Sequence, residues 1–422
     1  MGPMSKGAVG GVTGLLLAVY LLLLPVQIKI VTGFRFAPSD LFLAAALVVY
    51  TAAGRLEVRR GTISVWHLLL VVVFLASILV SAVRELDVTR YVLLNKGVGL
   101  LVLACLYLFV TSVVRDWSQL RWVLRVFLLG LAFHAVVGMA ALAAFYTARL
   151  RFPLVNAYPM RLSGMLFDPN AFGGLLVLGL TILLAANVRP APLLRGWTGR
   201  LTTLILALGI ALSFSRSAWV ALAVMATAVS VYDWRVAVRA ALLGALCIVA
   251  VLLVSGGDQL GVLIELATRP STIEDRLEYI TTGMEEFSRH PVFGVGMGFF
   301  SRHHGFIIHN TLLWILTEMG IVGLVVFMGF MAWFLWIGVR TMKSAPPAQR
   351  SLVLGLVLAF LAMAGLSLGI EALYQRHWWL VMALLASAHA ITLEEGVKKK
   401  AEEGGRESPG NVGTRPAWAG GG

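Results

Sequence analysis

Long apolar runs separated by short polar segments dominate the chain. Runs on the scale of a helix crossing about 30 Å of hydrocarbon fall near 8–30, 38–54, 64–83, 92–114, 122–148 and 170–187. A second set follows near 200–214, 217–233, 237–255, 309–339, 352–370 and 376–393. They are rich in Leu, Ala and Gly and lack the alternation that barrel strands show over about ten residues. The pattern predicts an all-α integral membrane protein with about 12 transmembrane helices. The first run is longer than a signal-peptide core, and no small-residue cleavage site precedes Gln27-Ile28-Lys29, so it reads as a helix.

A single long polar stretch, 256–308, interrupts the runs. Within it Ser271-Thr272-Ile273-Glu274 has the form of a capping box, and Pro291 sets the limit of the helix it starts. At about 100° per residue, Ile273, Leu277, Ile280, Met284 and Phe287 form one stripe. Glu274, Asp275, Glu278, Glu285 and Glu286 fall opposite, and Arg276 lies at the stripe's edge, directed toward the membrane bundle. The expected picture is an amphipathic helix across the mouth of that bundle. The glycine-rich segment Pro291 to Gly298 has no strand before it and no Lys-Ser pair after it, so it is a tight turn and no nucleotide loop. The organisation expected is a polytopic domain, 1–393, including the loop 256–308, followed by a disordered tail, 394–422, rich in Glu, Gly and Arg.

Composition sharpens this. Of 422 residues, 59% are hydrophobic and 13% charged, against about 45–50% and 25% in soluble domains, which leaves too little polar surface to coat a soluble globule. The net charge of +13 could point to nucleic acid, but the Lys and Arg sit in short inter-helix segments and not on one face. Placed by the positive-inside rule, Arg55, Arg59, Arg60, Arg115, Arg121, Arg189, Arg195, Arg200, Arg235, Arg239, Arg340, Lys343 and Arg350 lie inside, with Lys398 to Lys400 in the tail. Both termini are then cytoplasmic and 256–308 is outside. Cys105 and Cys247 lie in apolar runs, where neither a metal cluster nor a disulfide framework fits.

That topology leaves Arg149, Arg151, Arg161, Arg216, Arg269, Arg276, Arg289, Arg302 and Arg376 on the outer side, where insertion disfavours them. Some outer arginines simply snorkel to headgroups. Three have a more pointed context, because three membrane helices begin at the outer surface. Asp168 can cap and Pro169 can open the first, with Asn170 next and Arg161 just upstream. Arg216, in Ser215-Arg216-Ser217, opens the second, and His309-Asn310-Thr311 opens the third with Asn or Thr as cap. Helix N-termini carry partial positive charge and free N–H donors that favour phosphate, and arginine adds bidentate phosphate geometry. The expectation is an outer-face site for a phosphate or diphosphate; the alternative is that each cap only terminates its helix. At a helix N-terminus His309 stays neutral and can act as acceptor or base. His303 and His304 are adjacent, poorly spaced for one metal, and lack carboxylate partners at ligand spacing, so no metal site is expected.

The sequence His309-Asn310, nine residues, then Gly320, resembles the motif of the bacterial O-antigen ligase and O-antigen polymerase superfamily. Phe167-Asp168-Pro169-Asn170, the Ser215-Arg216-Ser217 turn, the loop with Arg276 and the Pro291 to Gly298 turn are also similar to that family, so the match spans roughly 160–325. The resemblance implies a GT-C glycosyltransferase of the bacterial inner membrane, independent of metals and cofactors, with a periplasmic active site and an undecaprenyl-diphosphate-linked glycan as donor. Arg161 and Arg276 would grip the donor diphosphate, Arg216 would add a contact, and His309 would orient or deprotonate the acceptor hydroxyl, which displaces the lipid diphosphate with inversion. Asp168, Asn170 and Asn310 would line the substrate site. The first expectation is ligation of polysaccharide onto the lipid A core of lipopolysaccharide; the alternatives are a polymerase on the same carrier and, in another class, an anion or lipid transporter. Membrane lipids complete the partners, and nucleic acid is not among them.

Overall fold

The computed structural model describes residues 6–31, 34–85, 91–148, 150–157, 160–187, 192–232, 270–305 and 307–406, with a few positions between 234 and 245. The expected span 237–255 lies mostly outside the described residues, as do Arg149, Arg269 and residues 407–422. Apolar runs become helices because the backbone can satisfy its own hydrogen bonds there without water. The first helices are α1 (Lys6–Leu23), α2 (Ser39–Ala52) and α3 (Val65–Glu85). A π-helical turn (Tyr91–Val98) then leads into α4 (Gly99–Val113), followed by α5 (Trp117–Ala148), α6 (Pro169–Ala186), α7 (Gly196–Ser213) and α8 (Arg216–Tyr232). The loop helix α9 (Pro270–Arg289) and the short α10 (Phe299–His304) precede α11 (Thr311–Ser344), α12 (Pro347–Leu366) and α13 (Arg376–Arg406). Two small antiparallel hairpins stand between helices: β1 (Ile28–Val31) with β2 (Phe34–Phe36), and β3 (Val155–Ala157) with β4 (Met160–Leu162).

Eight described helices are long and apolar enough to cross a membrane: α3, the helix from Lys96 through α4, α5, α6, α7, α11, α12 and α13. The chain is therefore a multi-pass, helical membrane protein. Of the remaining expected crossings, α1 and α2 are shorter apolar helices and α8 has 17 residues. The core forms around α6, which is almost wholly buried and packs along α12, α7 and α8. Leu-rich faces such as Leu175, Leu176, Val177 and Leu178 fill that centre.

Two expectations need correction. Residues 394–406 are not a tail but the last turns of α13. They are held because Glu394 accepts from Arg59 Nε (2.9 Å) and Glu395 from Trp117 Nε1 (3.0 Å). The apolar stripe of α9 also does not lie against the bundle: Leu277, Ile280 and Met284 are 57%, 46% and 44% exposed. Arg276, Tyr279, Gly283 and Glu286 form the packed face, about 100° round the helix from that stripe. The cause is Gly283, which lets α9 approach α11 until Thr317 Oγ1 donates to the Gly283 carbonyl (3.2 Å). These stripe residues are thus left exposed. The end of α9 at Arg289 agrees with the Pro291 stop, whereas the side chains of the expected capping box lie outside the described residues.

Inside α11 the backbone leaves the helix at Gly320 (φ 67°, ψ −167°). The hydrogen bonds that break there are replaced by the turn at Pro291 to Gly296. Val295 N–H donates to Thr317 O (3.0 Å) and Gly296 N–H to Glu318 O (3.1 Å); Ile321 N–H donates to Pro291 O (2.9 Å) and Val322 N–H to Val292 O (3.3 Å). A Cβ at Gly320 would collide with the Val292 carbonyl, and φ > 0 is strained for any other residue. Gly320→Ala should therefore destabilise the protein by about 2 kcal/mol or more. Thermal unfolding in detergent should show the loss, while Gly14→Ala, at a position with nothing within 4 Å of the added carbon, should leave the midpoint unchanged. Equal midpoints would mean the insert is not essential.

Candidate functional site

The N-termini of α6, α8 and α11 meet at one end of the bundle. For α6, Asp168 is the cap and accepts from Asn170 N–H (2.8 Å), with Pro169 in the first turn. Arg161, on β4, is 6% exposed. Its Nε donates to Ser213 O and its Nη2 to Asn170 Oδ1, both at 2.9 Å. Ser215 Oγ donates to the same Asn170 oxygen (2.9 Å) and accepts from Ala218 N–H (3.1 Å), which caps α8. Arg161, Asp168 and Asn170 thus form one brace tying β4, α6, the end of α7 and the start of α8.

Arg216 is the first residue of α8 and is half-buried, as is Arg276 on the packed face of α9. Burial first, and then the nearby Arg276 charge, hold the Arg216 guanidinium below its ordinary pKa. The two cations are therefore close enough to repel. One turn along α9 from Arg276, Tyr279 meets the His309 ring at 5.9 Å between centroids. His309 is exposed, and Asn310 caps α11 by accepting from Leu313 N–H (3.0 Å).

A turn at 367–372, between α12 and α13, locks this corner. Thr311 N–H donates to Ser367 O (2.8 Å), Thr311 Oγ1 donates to Ile370 O (2.9 Å) and accepts from Ala372 N–H (2.8 Å), and Asn310 Nδ2 donates to Leu368 O (3.2 Å). Gly369 of the same turn lies so close to Ser217 that a Cβ there would sit 2.9 Å from Ser217 Cβ. The starts of α8 and α11 therefore close on one short segment. Arg216, Arg276 and His309 share this corner, and Arg161 stands behind it through Ser215 and Asn170.

Other arginines that the positive-inside pattern leaves unexplained have local partners. Arg376 pairs with Asp40 (Nε to Oδ1 2.8 Å, Nη2 to Oδ2 2.5 Å), Arg302 donates to Ser81 Oγ (2.8 Å), and Arg289 reaches Glu286 (3.4 Å). Sequence reasoning also missed a buried charge group directly beneath the His309 cap. Lys96, in the π-helical turn, pairs with Glu371 and lies 4.5 Å and 4.6 Å from the ring centroids of Trp314 and Tyr374. Glu318, 2% exposed, accepts from Trp314 Nε1 (2.8 Å) and Gly298 N–H (2.9 Å) through one oxygen. The signal available was an ionisable residue inside an apolar run, which marks function or a specific partner, together with a π-helical turn, a frequent neighbour of functional sites.

Residues 201–328 match the family model described as O-Antigen ligase. That stretch holds Arg216, Arg276, His309 and Gly320, while the Arg161 brace precedes it. No curated protein matches the chain. Over that stretch, which includes the corner where Arg216, Arg276 and His309 gather, the chain is similar to the O-antigen ligase family.

Proposed function

We propose that the protein is an O-antigen ligase, which transfers a polysaccharide from undecaprenyl diphosphate onto the lipid A core of lipopolysaccharide. The observation that carries this reading is the gathering on one corner of Arg216 and His309, at the starts of α8 and α11, with Arg276 on the packed face of α9. Enzymes of this family act as glycosyltransferases on lipid-linked glycans. The proposal further places the corner at the periplasmic face of the inner membrane, with both termini cytoplasmic, in a GT-C type bundle of about twelve helices in which α1, α2, α8 and 237–255 also cross.

In this reading the donor diphosphate lies between Arg216 and Arg276, whose guanidinium groups accept bidentate phosphate geometry. The N–H groups at the start of α8 and α11 add partial positive charge. The acceptor hydroxyl oxygen attacks the anomeric carbon as the bond from that carbon to the diphosphate oxygen breaks. The bonding pair leaves with the diphosphate, the hydroxyl proton passes to the His309 imidazole, and the configuration inverts. Negative charge gathers on the leaving group, where the two arginines stabilise it. Arg161 holds the site's framework, with Asp168 and Asn170, one layer behind Arg216. Asn310 caps α11 and sets where His309 projects.

An in vitro assay with a defined undecaprenyl-diphosphate glycan and lipid A core tests the reading directly: glycan joined to the core is expected. Profiling a deletion strain separates the related chemistry. Loss of a ligase leaves long carrier-linked chains, whereas single repeats would make the protein a polymerase.

Arg276→Ala and Arg216→Ala should each slow transfer about 10²–10³-fold, the scale of losing one charge-stabilising donor, with unchanged thermal midpoints. Arg276→Lys should recover little, because an ammonium cannot replace the planar fork. Normal rates in either alanine variant would remove that residue from the mechanism.

Arg161→Ala should behave differently, losing transfer together with about 1–3 kcal/mol of stability, because it removes one of the two donors to Asn170 Oδ1 and the guanidinium donor to the buried Ser213 carbonyl. A variant that is inactive but fully stable would instead make Arg161 a direct substrate ligand.

His309→Ala should lose about 10²–10⁴-fold in rate, as expected for removal of a general base. Its side chain is exposed, so a normal melting profile should accompany the loss; retained transfer would show that the imidazole is structural.

A further inference from the structure

The opposite end of the bundle carries a second concavity. Arg340 lies 29 residues beyond Thr311 on α11, about 40 Å along the helix, so this end is remote from the corner already described. A cavity of about 690 Å³ opens there between the loop after α2, the last turns of α11 and the last turns of α13. Arg60, Arg340 and Lys398 line it, each exposed. Trp333, Trp336, Ile63, Ile337 and Leu393 supply its apolar lining. The Arg340 guanidinium lies over the Trp336 ring, 5.2 Å from its centroid, which orients its planar donors. Glu394, the carboxylate that lines the cavity, accepts from Arg59 Nε at 2.9 Å and so is turned toward a cation of its own.

Charges that only satisfied topology would be spread around the rim of the bundle. Here three converge on one concave, half-apolar space with its acid paired elsewhere. Tryptophan marks the level of the membrane interface, and a basic pocket between transmembrane helices at that level suits an anionic lipid headgroup. We propose that this cavity binds one anionic phospholipid, its phosphate held by Arg60, Arg340 and Lys398 and the start of its acyl chains laid along Ile63, Ile337 and Leu393. The volume falls within the range of small-molecule sites, about 300–1,000 Å³. The occupant is a lipid and not free phosphate because the lining sets apolar side chains beside the cations.

The test uses the whole protein, purified after reconstitution in vesicles of equal phosphatidylglycerol and phosphatidylcholine, with retained lipid identified by native mass spectrometry. The wild-type chain should keep phosphatidylglycerol in clear preference. Arg340→Ala and Arg60→Ala should each reduce retention about fivefold, the weight of one Lys or Arg near an anionic surface, and the double variant about twenty-five-fold. Arg200→Ala, an exposed cation at the start of α7 outside the cavity, should retain lipid as the wild type does. Millimolar inorganic phosphate should not displace the lipid. Equal retention of the two lipids, an equal loss in Arg200→Ala, or displacement by phosphate would each overturn the proposal. Thermal midpoints of the variants separate lost binding from lost folding.

Discussion

The structure turns on the break in α11 at Gly320. A helix interrupted within a membrane protein leaves carbonyl and N–H groups with no water to take them, each costing several kcal/mol. Here the break is filled by chain: residues 291–296 supply two donors and two acceptors to the groups that Gly320 frees. This stitch does more than repair backbone. It draws the end of the loop down against α11, brings Gly298 N–H to Glu318, and leaves the short segment Thr311–Met319 as a separate half-helix whose N-terminus carries His309 and Asn310. Gly294 serves the same approach from the other side, at φ 71° with the Glu318 and Met319 backbone against it.

From that constraint the corner follows. The loop is anchored at its exit by the stitch and along α9 by Gly283 against Thr317, so the helix cannot roll to bury its apolar stripe. Its polar face, with Arg276 and Tyr279, is committed to the start of α11. The turn at 367–372 fixes the same start from the opposite side and also touches Ser217. Loop, half-helix and turn are thus mutually positioned by backbone hydrogen bonds, which hold geometry more tightly than the long side chains they present.

The helices were legible because an apolar run in this composition has few other outcomes. The two described capping residues named from sequence, Asp168 and Asn310, do cap. The spacing from His309 to Gly320 was visible, but its meaning was not, since the groups that fill the break come from residues 291–296, which sequence places in a different element. The stripe on α9 is a real apolar face that the bundle does not cover: periodicity identifies such a face without saying what packs on it. Arg161 shows the same limit. Its charge was evident, yet its partners Ser213, Asn170 and Ser215 arise from separate segments, and only their assembly makes it part of the framework.

Two guanidinium groups held near each other at a partly buried surface are unfavourable by themselves: burial first, and then the Arg276 charge, lower the proton affinity of Arg216. A framework that keeps them together anyway must be stiff, and the Asn170 and Ser215 brace and the 367–372 turn provide the stiffness. An anion entering between them removes the repulsion as well as gaining attraction, so affinity rises with the ligand's negative charge. On the proposed reading this favours the donor diphosphate and, more strongly, the leaving diphosphate as it gains charge during transfer, which is the direction in which binding lowers a barrier.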